Sequence, residues 1–324
     1  MQRSPAGFNM ALIAFLILTL GSSLHGQSSG IESGQRYERL IIRNVMLIDG
    51  NGTPAQGPMD IVVQGNTIQS LRGARRGEDP YSGEAHVIDG TGMYALPGLI
   101  NLHAHIHDTR GRSPIPFDYL YKLWLSCGIT TVRDVGSNTQ KTFKERARSL
   151  AGEIVAPRIY LYMRAGGRTP EEARQAVQRI KKAGGDGVKI FGMDRDIMEA
   201  AVSEARALGL RVAHHVGVEE TDARHDAAFG VTSIEHWYGV PDAALRGSQN
   251  FPPWYNYNDE SHRFRYAGRL WREADPKKLG KVLSDMVANQ VSWCPTFVIY
   301  EANRDVLKSP EDLELGQALR IPRD

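Results

Sequence analysis

From Pro97 onward the chain repeats one unit, a short apolar run followed by a stretch of helical length. The runs predict strands at 98–103, 129–133, 158–163, 187–191, 210–215, 232–236 and 291–298. Helices are expected at 117–126, 139–151, 170–183, 195–208, 219–229 and 277–289. The third of these has the clearest ends. Thr169 can cap it, Pro170 takes the first position, Glu171 and Glu172 favour the first turn, and Gly184-Gly185 stops it. Strands alternating with helices of this size make βα units on a parallel sheet. Seven of them predict an α/β fold of the TIM-like (β/α)8 type, with strand eight missing.

The residues ahead of the barrel follow another rhythm. Arg39 to Asp49 reads as a strand pair, with Gly50-Asn51-Gly52 as its turn. Asp60 to Ser70 reads as two strands around Gly65-Asn66, and His86 to Asp89 as one more. The expected organisation is a partial β-sandwich domain at 38–96 and an incomplete barrel at 97–324. Residues 27–37 are rich in Gly, Ser and Gln and read as a linker. Residues 1–26 have the order of a signal peptide: Arg3, the uncharged apolar run Met10 to Leu20, then small residues from Gly21 to Gly26. That run is too short for a comfortable bilayer span. The expectation is export to a periplasmic or secreted location, a mature chain starting near Gln27, and no stable membrane span after cleavage.

Net charge is +2, from 39 basic and 37 acidic residues, with no concentrated basic run, so nothing points to nucleic acid. A small-molecule substrate fits, and a homo-oligomer is compatible. The two cysteines, Cys127 and Cys294, sit in apolar stretches without CxxC spacing and are expected as buried thiols. A metal would therefore be held by His, Asp, Glu or Lys.

Four strand ends carry such residues. His103 and His105 stand two apart on the first barrel strand, so both imidazoles can face one ion. Lys189 lies inside the apolar fourth strand. Burying a lysine is expensive unless its head escapes past the strand end or something pairs or modifies it. His214 and His215 are adjacent on the fifth strand, and alternation lets only one face the interior. His236 ends the sixth. The C-terminal ends of barrel strands are where such folds keep their chemistry. Imidazoles with a lysine and no thiolates suit zinc or a similar divalent ion. Between His236 and the next expected helix, Trp237 to Gly280 forms a long aromatic-rich insertion, expected to act as a lid or substrate wall.

These residues carry a resemblance. Ile48-Asp-Gly50, Ala95-Leu-Pro-Gly-Leu-Ile-Asn-Leu-His-Ala-His105, Gly128-Ile-Thr-Thr-Val-Arg-Asp134, Gly187-Val-Lys189 and Ser233-Ile-Glu-His236 together resemble the amidohydrolase superfamily, most of all its imidazolonepropionase- and prolidase-related branch. The resemblance implies a hydrolase acting on amide or peptide-like C–N bonds, Xaa-Pro dipeptides among them, through a hydroxide at a binuclear metal site. It implies two divalent ions, zinc first among them. His103 and His105 would bind one ion, His215 and His236 the other, and a carboxylated Lys189 would bridge them. The family's placement of the strand-five ligand favours His215 over His214. The resemblance also implies an Asp at the end of strand eight. Asp305 and Asp312 do not follow an apolar strand, so that Asp is expected to be absent and the chain to be C-terminally truncated. Two rivals remain: a non-catalytic binding protein on the same scaffold, and a mononuclear deaminase-like enzyme. Lys189 argues against the latter, as does Val218 where such enzymes carry a Glu.

Overall fold

The computed structural model describes residues 35–74, 83–107, 115–137, 140–216, 221–256 and 259–301. The expected signal peptide, most of the linker, and Asp305 and Asp312 lie outside them. No described helix is long and apolar enough to cross a membrane. The chain divides into two compact units, residues 1–97 and 98–324.

The first unit is a five-stranded sheet. Its strands are β1 (Arg39–Leu47), β2 (Gln56–Gln64), β3 (Thr67–Gly73), β4 (His86–Asp89) and β5 (Tyr94–Ala95). The order is β3-β2-β1-β4, with β5 also on β1. The described residues thus contain one layer of the expected sandwich. Arg39 to Asp49 is not a strand pair. It is one long strand with irregular register, and Asn44 sits there with φ +59° while its N–H donates to buried Asp60. An asparagine tolerates that left-handed kink, so the strand continues where alternation suggested a break.

The second unit is a parallel sheet in strictly sequential order: β6 (Leu99–Ala104), β7 (Ile129–Val135), β8 (Arg158–Arg164), β9 (Gly187–Ile190), β10 (Arg211–His215), β11 (Ser233–Glu235) and β12 (Ser292–Cys294). With its helices it is a nearly closed, TIM-like barrel of seven strands. Between strands run α1 (Phe117–Ser126), α2 (Gln140–Ala151), α3 (Pro170–Lys182), α4 (Arg195–Ala207), α5 (Ala223–Phe229), α6 (Glu260–Glu273) and α7 (Pro276–Ala288). Thr169 caps α3 by accepting from Glu172 N–H at 3.2 Å, a contact of a kind typically worth about 1 kcal/mol.

Two expectations need correction here. The insertion after β11 is not all loop: α6 lies within it. Phe264, Ala267, Leu270 and Trp271 recur at helical spacing, and Ala267 and Leu270 are buried. The seventh strand is only Ser292–Cys294, because residues 297–301 turn helical.

The apolar core lies between strands and helices rather than inside the barrel. Val188, Ile190 and Val212 face α3 and α4, where Val177, Met198 and Val202 pack on them. Inward positions on the same strands hold Lys189, Ala213 and His215. A chain that points its aliphatic residues outward leaves its barrel lumen for polar chemistry. Polar groups are also trapped in the outer layer, Asp134 among them. Asp134 is 1% exposed, accepts from Ser137 at 2.7 Å, and its Oδ2 has no partner among the described residues. Burial pushes its carboxyl up to about 7, against which the bonds from Ser137 and Ile106 work only in part.

A raised folded-state pKa means the folded chain holds a proton that the unfolded chain releases above its ordinary value of 3.8. Stability should therefore fall as pH rises from that value through about 7. Asp134→Asn removes the titration. Its stability relative to the parent should rise by about 2–3 kcal/mol between about pH 5 and pH 8. Urea unfolding at both pH values checks this, and a constant difference would show that Asp134 is ionised throughout.

Candidate functional site

His103, His105, Lys189, His215 and His236 come together at the C-terminal ends of β6, β9, β10 and β11. Ring centroids of His103 and His105 are 5.1 Å apart, those of His103 and His236 4.7 Å, and those of His215 and His236 4.2 Å. Of the two adjacent histidines, His215 faces this cluster. His214 points the other way, where its Nδ1 lies 2.6 Å from Asp226 Oδ1 on α5, both side chains being fully buried.

His236 reaches the cluster by a route that alternation does not predict. Ser233 and Glu235 point inward on β11, so the next residue should point out. Instead His236 has φ +75°, a costly conformation for a residue with a side chain, and this swings its ring back over the barrel mouth. The kink is held from both sides. His236 N–H donates to Cys294 O at 2.9 Å, Trp293 Nε1 donates to His236 O at 2.6 Å, and Thr296 Oγ1 lies 2.8 Å from His236 Nδ1.

Four residues that sequence reasoning did not assign complete the site. Glu235 is fully buried. It accepts from His103 Nδ1 at 2.6 Å, from Arg133 Nη2 at 2.5 Å and from Ser233 Oγ at 2.5 Å. Burial works to raise its carboxyl, but the His103 bond and the Lys189 and Arg133 charges outweigh it and hold the group at about 2. Arg133, on β7, also donates through Nε to Leu102 O at 2.6 Å, so it ties three strands together. Tyr238 sets its hydroxyl 2.7 Å from His215 Nε2. Arg263, from α6, places its guanidinium 5.7 Å from the Tyr238 ring centroid and is 8% exposed. Arg133 and Glu235 were visible inside the motifs Gly128–Asp134 and Ser233–His236. The signal for their role was an inward register, two residues before the end of β7 for Arg133 and at the end of β11 for Glu235.

The electrostatics leave His103, His215 and His236 neutral. Burial lowers His103, and burial together with neighbouring positive groups lowers His215 and His236 well below the usual range. His103 donates its Nδ1–H in a hydrogen bond to the Glu235 carboxylate, which leaves the Nε2 lone pair exposed, the tautomer a ligand needs. Lys189 is fully buried and its Nζ has no hydrogen-bond partner among the described residues. Burial pulls it down to about 8. Gly136 lies against the stem of Lys189 at φ +114°, a conformation that disfavours any side chain there. Neutral imidazoles, an orphaned amine and a strongly ionised carboxylate make a donor set that fits divalent ions. Cys294 also lies beside Glu235 and His103, their ligand atoms within 4.8 Å of one another. Burial pushes its thiol up to about 11, so it stays protonated and is a poor ligand. Contrary to expectation Cys127 is exposed, at the end of α1, and Cys294 is only half-buried.

Comparison with known proteins shows what the chain is similar to. Residues 94–245 match the model of the amidohydrolase family. A dihydroorotase from Thermus aquaticus is 40% identical over 70 residues, covering 21% of this chain and 14% of that one. A dihydroorotase from Bacillus pumilus (strain SAFR-032) is 30% identical over 186 residues, covering 54% of this chain. The chain thus spans less than half the length of these relatives, 41% in the Bacillus case. A candidate prolidase from Bifidobacterium longum superposes with a TM-score of 0.53 at 28% identity, covering 62% of this chain and 55% of that one. A Xaa-Pro dipeptidase with methionine bound in its active site shares the fold, with a TM-score of 0.52 at 21% identity over 79% and 78% of the two chains. With strand order and these likenesses in agreement, residues 94–245 of this chain carry the pattern of the amidohydrolase family, to which the chain is similar.

Proposed function

We propose that this chain is a metal-dependent hydrolase of C–N bonds in small amide or peptide-like substrates. The observation that carries the reading is Lys189, a fully buried amine with no described hydrogen-bond partner, among four imidazoles. Such a group is costly unless a modification or an ion completes it. In this reading His103, His105, His215, His236 and a carboxylated Lys189 would hold two divalent ions, with zinc the best-suited metal. The chemistry such ions supply is Lewis acidity, at the scissile carbonyl and at the attacking water.

The chain's own residues do the positioning. Glu235 fixes the ring of His103 through its Nδ1 proton. Arg133 fixes Glu235 and braces β6. Thr296 and the backbone of Cys294 hold the strained His236 in place. Tyr238 brings a hydroxyl to the edge of His215, where it can donate to an oxygen of a bound carbonyl. Among the named relatives is a Xaa-Pro dipeptidase, and a dipeptide is the substrate class we propose.

Metal analysis and a dipeptide hydrolysis panel test the reading, run on the full chain and on His215→Ala and His214→Ala. The parent should carry divalent metal and lose hydrolysis on chelation. His215→Ala should lose metal. His214→Ala should keep it, yet cost about 1–3 kcal/mol of stability by stripping buried Asp226 of its partner. A metal-free, inactive parent would overturn the proposal, and the reverse order of the two variants would reassign the ligand.

A further inference from the structure

We propose that Arg263 and Trp271, on the inserted helix α6, are positioning residues that hold Tyr238 against His215. On the hydrolase reading, on which this rests, the insertion then contributes to turnover without touching substrate. Three successive residues follow β11: His236, Trp237 and Tyr238. The first is strained, at φ +75°, and the third carries the hydroxyl that lies 2.7 Å from His215 Nε2. A strained residue persists only where its surroundings over-determine it. Here two stacked tryptophans help to do so. Trp293, on β12, donates through Nε1 to His236 O at 2.6 Å. Trp271, on α6, donates through Nε1 to Trp237 O at 2.7 Å. The two indole rings lie 5.8 Å apart between centroids and 19° from parallel. Adjacent carbonyls are thus held by adjacent indoles, one supplied by the barrel and the other by the insertion.

Arg263 acts on the side chain rather than on the backbone. It is buried, and burying a guanidinium is expensive unless something offsets the lost hydration. Its Cζ stands 5.7 Å from the centroid of the Tyr238 ring, within the range of a cation–π contact. Tyr238 is buried too, and its ring lies near-parallel to that of His236, at 5.4 Å and 17°. A phenol moves its hydroxyl only by moving its ring. His236 and Arg263 together therefore fix where the hydroxyl sits. A hydroxyl in that place can accept from His215 Nε2–H and donate to a carbonyl oxygen at once.

Helix α6 can serve this way because its own place is fixed. Ala274, the residue after it, bridges to Leu245, and Asp275 N–H donates to Ala244 O at 2.8 Å. The neck of the insertion is thus closed directly at the end of the helix. Arg263 and Trp271 stand eight residues apart, a spacing that returns to the same helical face. Ala267 and Leu270, buried between them, seat that face on its neighbours. The insertion then does more than wall the site: it holds both the backbone and the ring of the segment that carries the hydroxyl.

Turnover and one signal independent of it test the clamp. A donor to a developing oxyanion acts on kcat rather than on KM. Tyr238→Phe should therefore lower kcat on a dipeptide by about 10²-fold, with KM little changed. Arg263→Met should lower kcat by roughly tenfold, since displacing a donor costs part of what removing it does. Arg263→Lys keeps a cation by the ring and should recover most of that loss. Trp271→Phe keeps the stack without the donor and should lower kcat severalfold. The double variant decides whether Arg263 works through Tyr238. In that case Arg263→Met adds little to Tyr238→Phe. A full further tenfold loss, a loss confined to KM, or a parental kcat in either single variant overturns the clamp. Should Arg263→Met fail to fold, Trp271→Phe, alone and paired with Tyr238→Phe, decides in the same way. The ring-nitrogen NMR signal of His215 needs no turnover. It is read on the full chain with isotope-labelled histidine and assigned with His215→Gln. Tyr238→Phe should shift it, Arg263→Met and Trp271→Phe should shift it in the same direction, and Arg263→Lys should return it toward the parent. A parent with these shifts that hydrolyses nothing removes the hydrolase reading alone. A hydrolysing parent whose His215 signal ignores Arg263→Met removes the clamp alone.

Discussion

Lys189→Met should abolish tight metal binding and lower hydrolysis by more than about 10³-fold, well beyond the roughly 10–100-fold typical of losing an outer partner of a metal ligand. The reason is its place. Lys189 is fully buried, and its ladder neighbours are Arg164 and Ala213, on the strands either side. A neutral amine can condense with carbon dioxide, forming an N–C bond, releasing a proton and gaining two ligand oxygens. Burial favours that form by pulling the ammonium down to about 8. The same shift makes an opposite prediction for stability. A base whose folded pKa lies below its unfolded value of 10.5 penalises the fold at neutral pH, and the penalty fades as pH rises from about 8 to 10.5. The metal-free, carbon-dioxide-depleted Met variant should therefore be more stable than the equally depleted parent, by about 2–4 kcal/mol near neutral pH. Lys189→Ala leaves room instead, and short carboxylates such as propionate should return part of its metal. Chelator competition and urea unfolding read the two effects separately. A Met variant that binds metal like the parent would remove Lys189 from the centre.

Much of this is legible in the sequence. Barrel strands and helices follow from hydrophobic period and from caps such as Thr169 and Pro170, which are local signals. The five ligand candidates were legible because each lies within or directly after an apolar run that reads as a barrel strand. What alternation cannot show is a departure from alternation. His236 points inward only through a left-handed residue, and Asn44 continues β1 only through another. Their strain is held by distant partners, Cys294 and Asp60, that no local window contains. Helix α6 was hidden for a different reason. Its many aromatic and basic residues suggest a loop, and only the buried positions Ala267 and Leu270 show its helical stripe. The role of Glu235 depends on Arg133, 102 residues away in sequence, and on a third strand. Long-range pairs of that kind come from topology rather than from motif spacing.

Glu235→Gln should be the most damaging conservative change in the site. The carboxylate accepts three bonds at once, from His103, Arg133 and Ser233. An amide keeps one acceptor oxygen and presents an NH₂ to groups that also donate. Arg133 would then be a buried guanidinium without its counter-charge, at a cost of about 3–5 kcal/mol. His103 would lose the acceptor that fixes its tautomer and ring plane, which should weaken metal binding by roughly 10–100-fold. These two losses separate in a double variant. Adding Arg133→Met removes the orphaned cation, so most of the stability should return, a coupling expected for residues in one network. Metal affinity should stay low, because nothing has been given back to His103 Nδ1. Urea unfolding of the metal-free proteins reads the first effect, and the chelator concentration that halves metal occupancy reads the second. If the double variant regains affinity along with stability, Glu235 serves the fold alone, and the orientation of His103 must come from the strand itself.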